Sequence, residues 1–273
     1  MLGCGFPLPA QSIHVYTELQ RVDPFGNVIQ QDLGPESDRR SSREVLSPAL
    51  VRNASSSFLV AVQPPPGIPY WFYLGENPEN LIRVTVYKAI FEKTAAGAFV
   101  PDRLEKIELP YNGLVPERNI PGQTTELFLV DVFVPKEAVV RRMKLEPQMW
   151  IPDRWIIYPM EVRIVPQQVL AKAPDKGVLA PLASPADATY RGVFLSYFCE
   201  KPEKSEGTGP LTIRSLILRN ARRDAILAAP LGRSEIGTFL GYEGDADWCR
   251  AEPVVRHPER VLRIRDRLLR EKP

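Results

Sequence analysis

The histidines and serines of this sequence offer few starting points for catalysis. The chain has two histidines, His14 and His257, so a Ser-His-Asp or Cys-His site would have to use one of them. His14 lies in a segment with strand-like alternation, and His257 stands beside a helix start. No serine lies in a GxSxG nucleophile elbow. We therefore predict a non-catalytic protein in which both histidines occupy surface or capping positions.

Residue spacing also gives no indication of a metal or phosphate site. The two histidines and the late cysteines are too far apart to match zinc-binding patterns, and no GxxxxGK[ST] motif is present. The acidic stretch 243–247 (EGDAD) offers oxygen ligands for calcium but lacks the twelve-residue loop pattern, so we predict a solvated loop. We predict no metal and no cofactor. A pair of carboxylates for sugar hydrolysis needs no local motif and stays open.

The aromatic residues are the candidates for ligand binding. Neighbouring residues of a strand point to opposite faces, so part of a dense aromatic cluster must face outward or lie at an edge. Exposed aromatics can stack on sugars or anchor a protein partner, whereas buried ones fill the core. The candidate residues are Tyr70, Trp71, Tyr73, Trp150 and Trp155.

The alternation of apolar residues from 126 to 165 predicts three strands, each with one face on a core. Its inward positions are Phe128, Val130, Val132, Val134, Met143, Leu145, Met149, Ile156, Tyr158, Met160, Val162 and Ile164. Upstream alternating or β-branched runs predict further strands, about eight in total; these runs lie at 13–19, 58–62, 70–74, 81–91 and 104–109. Residues 110–123 are predicted to form a loop.

A helical period replaces this alternation after Pro166. Ser184-Pro185-Ala186-Asp187 predicts a helix start, and a second helix is predicted from Pro210 to near Pro230, with shorter ones beginning at Ser234 and His257. The fold class is α+β and mainly β, an N-terminal antiparallel Ig-like β-sandwich followed by a small helical subdomain. The predicted divisions are 1–11 (a signal-peptide remnant), 12–166 (sandwich), 167–183 (linker) and 184–273 (helical subdomain).

The N-terminus and the cysteines suggest export. Residues 1–10 (MLGCGFPLPA) carry no charge and are similar to the end of a signal peptide. Because the basic front end is missing, either the true start lies upstream or this segment is an ordinary apolar N-terminus. Removing Cys4 with this segment leaves Cys199 and Cys249, an even number that predicts one disulfide. The alternatives are two buried free thiols and lipid attachment at Cys4. We predict a secreted or periplasmic protein of the cell envelope.

Net charge and hydropathy weigh against nucleic acid and against a transmembrane segment. The formal charge is +2, and no run of 18 apolar residues occurs. The last helix, at 258–272, is basic and could contact phosphates. Because the positive charge is not repeated elsewhere, we interpret it as a solvated face and predict no nucleic-acid partner.

Residues 129–136 (LVDVFVPK) and 158–163 (YPMEVR) carry a resemblance to a known class of module. They resemble Ig-like β-sandwich modules found in exported bacterial proteins, some beside carbohydrate-active domains. In such modules a strand ending in Val-Pro leads through a turn to a closing strand. The glycine common in that turn is replaced here by Val139-Val140-Arg141. The resemblance implies the sandwich fold and export.

The sequence therefore predicts a non-catalytic exported binding or structural protein of the bacterial cell envelope. Its partner is an unidentified protein or glycan. The alternative is a carbohydrate-binding accessory module, or a carboxylate-based carbohydrate-active enzyme, that uses the same aromatics.

Overall fold

The computed structural model describes residues 12–31, 47–76, 81–116, 120–169, 178–179, 206–207 and 211–228. Its strands are β1 (Ser12–Thr17), β2 (Gln20–Val22), β3 (Val28–Gln31), β4 (Ala49–Arg52), β5 (Ala54–Gln63), β6 (Tyr70–Glu76), β7 (Arg83–Lys93), β8 (Phe99–Ile107), β9 (Tyr111–Gly113), β10 (Glu126–Val134), β11 (Arg142–Ile151), β12 (Arg154–Ile157), β13 (Glu161–Gln168), β14 (Val178–Leu179) and β15 (Glu206–Gly207). One helix, α1, runs over Ile213–Ala228. The described part of the chain is therefore mainly β.

Two large sheets organise these strands. The first has the order β1-β5-β10-β7-β8 and is antiparallel throughout. The second has the order β4-β13-β11-β6-β9, with β12 also paired to β11. Its pairs are antiparallel except β4 with β13, which is parallel. The short pairs β2–β3 and β14–β15 lie outside both sheets.

The main core lies between the two sheets and is formed by the inward residues of both. Val60 and Phe128 of the first sheet share one buried cluster with Phe72, Met149 and Val162 of the second. The rings of Phe72 and Phe128 stack with centroids 4.3 Å apart and an interplanar angle of 4°. Because the inward residues recur every second position, the period-two reading of residues 126–165 is confirmed for these strands.

The first half of strand β10 is buried on both faces. Phe128 and Val130 belong to the inter-sheet core, while Leu127 and Leu129, which face the other way, are also fully buried. Strands covered on both faces read as continuous apolar runs. The second cover is a layer that includes α1, which packs against β5 and β8.

Polar contacts fix α1 to the first sheet. Arg219 donates to both carboxylate oxygens of Asp131 on β10, with a distance of 3.0 Å from Nη1 to Oδ2, and its Nη2 donates to the Ser57 hydroxyl at 3.0 Å. Next to it, Asn220 Nδ2 donates to Glu18 Oε1 at 3.2 Å. The helix predicted between Pro210 and Pro230 is thus confirmed, and it lies directly on the strands.

Two segments differ from the sequence expectation. The predicted loop 110–123 contains β9, a short strand at the edge of the second sheet. The run 156–164 is not one strand, because it is interrupted at Tyr158-Pro159-Met160, between β12 and β13. Pro159 has no N–H to donate to a ladder, which explains a break at this point.

Several predicted features lie outside the described residues. They are the signal-peptide remnant, Cys4, the Cys199–Cys249 disulfide, His257, the acidic stretch 243–247 and the helices starting at Ser184, Ser234 and His257. The predicted linker at 167–183 overlaps the end of β13, which continues to Gln168. Among the described residues, no helix is long and apolar enough to span a membrane.

Candidate functional site

Three tryptophans from three neighbouring strands occupy directly paired positions on the second sheet. Trp71 of β6 is opposite Trp150 of β11, and Trp150 is opposite Trp155 of β12. Opposed side chains of antiparallel strands project from the same face, and neighbouring strands lie about 4.8 Å apart. The backbone positions of the three tryptophans therefore span about 10 Å across the strands. We call this line the aromatic row.

The aromatic row lies on the face of the second sheet that is turned away from the core. In β6, Tyr70 is fully buried, whereas Trp71 and Tyr73 are partly exposed. In β11, Met149 is fully buried and Trp150 beside it is partly exposed. The alternation of each strand thus sends one set of side chains into the core and leaves the row at the surface.

A tight turn at Pro152-Asp153 brings the most exposed member of the row into place. Asp153 has a φ of 72°, in the left-handed region that the third residue of such a turn requires. Trp155 exposes 50% of its surface, and its ring centroid lies 5.0 Å from that of Tyr73. Because Tyr73 belongs to β6, the Trp155 ring reaches over β11.

A polar side chain lies beside the aromatic row on the same face. Gln148 is opposite Tyr73 on one side and Ile157 on the other. Its Nε2 donates to Glu146 Oε2 at 3.4 Å, and the same oxygen pairs with Lys144 Nζ at 3.0 Å. A Cβ at Gly75 would lie 2.5 Å from Gln148 Nε2, so the amide occupies the space that this glycine leaves open.

The five predicted ligand-binding residues therefore divide into two groups. Trp71, Tyr73, Trp150 and Trp155 come together on the outward face. Tyr70 is separate from them, because its ring lies in the inter-sheet core and its hydroxyl donates to Glu126 of the first sheet.

Glu126 is the centre of a buried polar cluster that joins the two sheets. The cluster consists of Tyr70, Lys88, Tyr111 and Glu126. Lys88 on β7 forms an ion pair with Glu126. Lys88 Nζ also donates to the Tyr111 hydroxyl at 2.9 Å, and that hydroxyl donates to Glu126 Oε1 at 3.3 Å. The Glu126 side chain is only 1% exposed and that of Lys88 12%.

The cluster is electrostatically matched, and its members Tyr70 and Glu126 are fully buried. Burial raises the pKa of Tyr70 well above its ordinary value, and the Glu126 charge adds to this shift. Burial is the largest single influence on the pKa of Lys88 and would lower it, but the Glu126 charge and the contacts with Glu126 and Tyr111 together outweigh burial, and the pKa is raised. Tyr70 is therefore a neutral donor and Lys88 a cation at neutral pH. The hydrogen bonds of Tyr70 and Tyr111 to Glu126 connect the two sheets.

Sequence reasoning did not single out Lys88 or Glu126, although the alternation contains a signal for both. Lys88 has the same parity as the inward Val84 and Val86, and Glu126 has the same parity as the inward Phe128. A lysine and a glutamate at core positions of two strands need a partner, because an unpaired buried charge is costly. This parity predicts that both point into the core and that each needs a buried partner.

Other polar residues of the described chain form no comparable surface site. His14 lies on β1 with its ring 6.2 Å from that of Tyr16. No group of three or more His, Cys, Asp or Glu side chains comes together within the described ranges. A cavity of about 70 Å³ beside α1 is lined by residues that include Glu18, Ser57 and Arg223.

Comparisons with known proteins give no family. No protein-family model matches the chain, and no curated protein matches it. The solved structures with partial likeness include the following three. A family 123 glycoside hydrolase from Clostridium perfringens is 8% identical, with a TM-score of 0.36, and the match covers 71% of this chain and 36% of that one.

The other two likenesses are smaller. Domains 4 and 5 of the S-layer protein SbsC are 8% identical, with a TM-score of 0.23 and coverage of 44% of this chain and 47% of that one. A DUF4466 family protein from Parabacteroides merdae is 10% identical, with a TM-score of 0.23 and coverage of 57% and 46%. The chain spans less than half the length of each of the three structures. Scores of this size assign neither an activity nor a ligand to it.

Proposed function

We propose that this chain is a non-catalytic, exported binding or structural protein of the bacterial cell envelope and that the aromatic row is its binding surface. The observation that carries the proposal is the outward line of Trp71, Trp150 and Trp155. Indole rings supply a large rigid apolar area and an N–H donor, and they are enriched where proteins bind partners. The half-exposed Ile157 extends the apolar area of this face.

Export is part of the proposal, together with the Ig-like class, the helical subdomain at 184–273 and the Cys199–Cys249 disulfide. Cell fractionation of the full-length protein tests it, and we expect recovery from the periplasm or the medium. The mature protein, unfolded without reductant, should then show no free thiol from this cysteine pair. Recovery from the cytosol alone would contradict export, and two titratable thiols would contradict the disulfide.

Crosslinking in intact cells tests the binding surface. A photoreactive amino acid at Ile157, which is 50% exposed beside the aromatic row, should crosslink to an envelope component. The same probe at Val139, which is 62% exposed elsewhere, is the matched control. A product specific to position 157 that disappears with Trp155→Ala supports the proposal. Identical products from both positions would count against it.

The second candidate function is carbohydrate binding, which the aromatic row favours directly. A line of partly exposed indoles on the outward face of the sheet suits a chain of sugar rings, whose apolar faces can stack on them. A glycan array tests this function with the wild type, Trp155→Ala and Phe25→Ala. Phe25 is an exposed aromatic outside the row and serves as the control. We expect binding that Trp155→Ala abolishes and Phe25→Ala leaves intact. An array without any bound sugar would overturn this candidate.

The enzymatic form of this candidate needs two carboxylates beside the bound sugar. Glu146 is the carboxylate next to the aromatic row on β11, and it is paired with Lys144. Release of new reducing ends from a bound sugar, lost in Glu146→Gln, would favour an enzyme. Unchanged sugar after prolonged incubation would favour binding alone.

A further inference from the structure

We infer that one end of the two-sheet core is a membrane-contacting surface and that its partner is the interfacial layer of a lipid bilayer. Three loops form this surface: the first at 23–27, the second at 64–69, and the third at 114–116 and 120–125. We call it the loop end. The inference goes beyond the function proposed above and does not depend on what the aromatic row binds.

Backbone hydrogen bonds hold the three loops together at the same end. The Gly67 N–H donates to the Val115 carbonyl at 2.7 Å, which joins the second loop to the third. The N–H groups of Thr124 and Thr125 both donate to the Pro24 carbonyl at 3.0 Å, which joins the third loop to the first. Because the second loop connects β5 with β6, the loop end extends across both sheets.

Each of the three loops exposes one large apolar side chain. Phe25 is 44% exposed, Ile68 is 39% exposed and Leu114 is 49% exposed. The exposed positions around them are also uncharged, and they are Pro66, Gly67, Pro69, Pro116, Pro121 and Gly122. Exposed apolar residues gathered in one region mark a site of contact with a protein or a membrane.

The charge at this end is low and already engaged. Among the described residues of the loop end, Asp23 is the only charged side chain. Its carboxylate accepts hydrogen bonds from the N–H groups of Phe25 at 2.9 Å and Asn27 at 2.8 Å, and from the Asn27 amide at 3.0 Å. The turn after β10, at the opposite end, exposes Val139 and Val140. That turn also exposes the charged residues Lys136, Glu137, Arg141 and Arg142.

The second loop has no backbone donor to spare. Four of its six residues are prolines, which have no N–H. The other two are Gly67, which donates to Val115, and Ile68, whose N–H donates to the Pro65 carbonyl at 3.2 Å. A Cβ at Gly67 would meet no atom within 4 Å, so the tip of this loop is open on that side.

The first loop is satisfied in the same way. Pro24 has no N–H, and the N–H groups of Phe25 and Asn27 are held by the Asp23 carboxylate. The Gly26 N–H donates to the Asp23 carbonyl at 3.1 Å. Both loops therefore present an apolar side chain on a backbone whose N–H groups are paired within the protein.

This pairing favours lipid over a protein as the partner. Backbone that enters an apolar phase finds no water to replace a lost hydrogen bond, so its polar groups must be satisfied beforehand. A protein partner would instead exchange hydrogen bonds, about one for every 100–200 Å² of interface. The first two loops have no N–H left for such an exchange.

The N-terminal segment joins the domain at the same end. Ser12 is opposite Gln63, and its hydroxyl donates to Gln63 Oε1 at 2.7 Å. Gln63 directly precedes the second loop. Residues 1–11 precede Ser12 and contain no charged side chain. An uncharged stretch of chain therefore continues from the loop end, which agrees with a membrane on this side.

Flotation of the full chain with phosphatidylcholine vesicles tests the inference. These vesicles have no net charge, so the basic segment 258–272 cannot bind them by attraction to anionic lipid. We expect the wild type to float with the vesicles and to stay bound at high salt, because apolar insertion is not screened. The triple variant Phe25→Ser, Ile68→Ser, Leu114→Ser should lower the partition coefficient at least about tenfold.

Two further variants separate the loop end from other apolar surface. The double variant Val139→Ser, Val140→Ser removes exposed apolar side chains from the opposite end and should bind vesicles like the wild type. Trp155→Ala alters the aromatic row and should also leave vesicle binding close to that of the wild type. Thermal unfolding of each variant confirms that it is folded.

The inference is overturned if the wild type does not float, if high salt releases it, or if the triple variant binds as well as the wild type. Loss of binding in Trp155→Ala with full binding in the triple variant would assign the lipid contact to the aromatic row and would also overturn it. Glycan binding and crosslinking at Ile157 are measured separately, so failure here is distinguishable from failure of the proposed function.

Discussion

Tyr70 of the second sheet donates a hydrogen bond to Glu126 of the first, and this contact crosses an otherwise apolar core. Each residue continues the alternation of its own strand at an inward position. Their meeting is a property of the packed sheets. With Lys88 and Tyr111 they form the buried polar cluster, in which an ion pair is satisfied by two hydroxyls.

Removing one charge of the cluster should destabilise the fold more than removing both. Glu126→Leu leaves the Lys88 ammonium buried without its partner, and we expect the free energy of unfolding to fall by about 3 kcal/mol. Adding Lys88→Met to this variant should recover most of the loss, because no unpaired charge remains. Urea denaturation of the two single variants and the double variant measures this. A double variant less stable than Glu126→Leu would contradict the prediction.

The cluster should also make stability sensitive to alkaline pH. The pKa values of Tyr70 and Lys88 are raised from ordinary values of 10.0 and 10.5. Groups with raised folded pKa values stabilise the fold below their unfolded pKa values and lose this contribution as pH rises through the folded ones. Stability should therefore decline above about pH 10. Tyr70→Phe should reduce this slope, whereas Tyr73→Phe on the outward face should not. Equal slopes in all three proteins would refute the assignment.

Substitution by alanine should destabilise the fold at one glycine, Gly113, much more than at another, Gly75. A Cβ at Gly113 would lie 2.5 to 2.6 Å from atoms of the buried Tyr70 ring, which cannot move aside. We expect Gly113→Ala to lower the free energy of unfolding by about 2 kcal/mol. Gly75→Ala meets the movable end of Gln148 instead and should change stability by less than about 0.5 kcal/mol. Chemical denaturation compares the two, and equal losses would be the contrary result.

The ion pair between Arg219 and Asp131 should couple α1 to the first sheet. A double-mutant cycle with Arg219→Met and Asp131→Asn should give a coupling energy of about 1 kcal/mol, since both side chains are partly exposed. Amide hydrogen exchange in α1 should accelerate in either single variant, because the helix opens more readily from the sheet. Additive energies with unchanged exchange would mean that apolar packing alone holds the helix.

Local sequence patterns predicted where the strands lie better than they predicted which strands pair with each other. The alternation in β10, β11 and β6 was readable because a period of two reflects one buried face. The same rule could not reveal that β10 and β11 belong to different sheets. That β10 pairs with β5 and β7 depends on residues tens of positions away.

In the candidate site, too, local sequence predicts some features, whereas others depend on strand pairing. Trp150 and Trp155 are close in sequence around one turn, so their proximity was foreseeable from residues 150–155. Their alignment with Trp71 depends on the register of β11 against β6, which no local pattern gives. The burial of Tyr70 follows from its parity with Phe72, but the sequence does not say which of the two parities faces the core.

The alignment of Trp71, Trp150 and Trp155 also gives this face an intrinsic optical signal. Three of the four tryptophans of the chain lie within the aromatic row. The tryptophan emission and near-ultraviolet dichroism of the whole protein therefore come largely from one small area of its surface. Occupancy of that area can be followed on the unlabelled protein, and a molecule that docks elsewhere leaves most of the fluorescence unchanged.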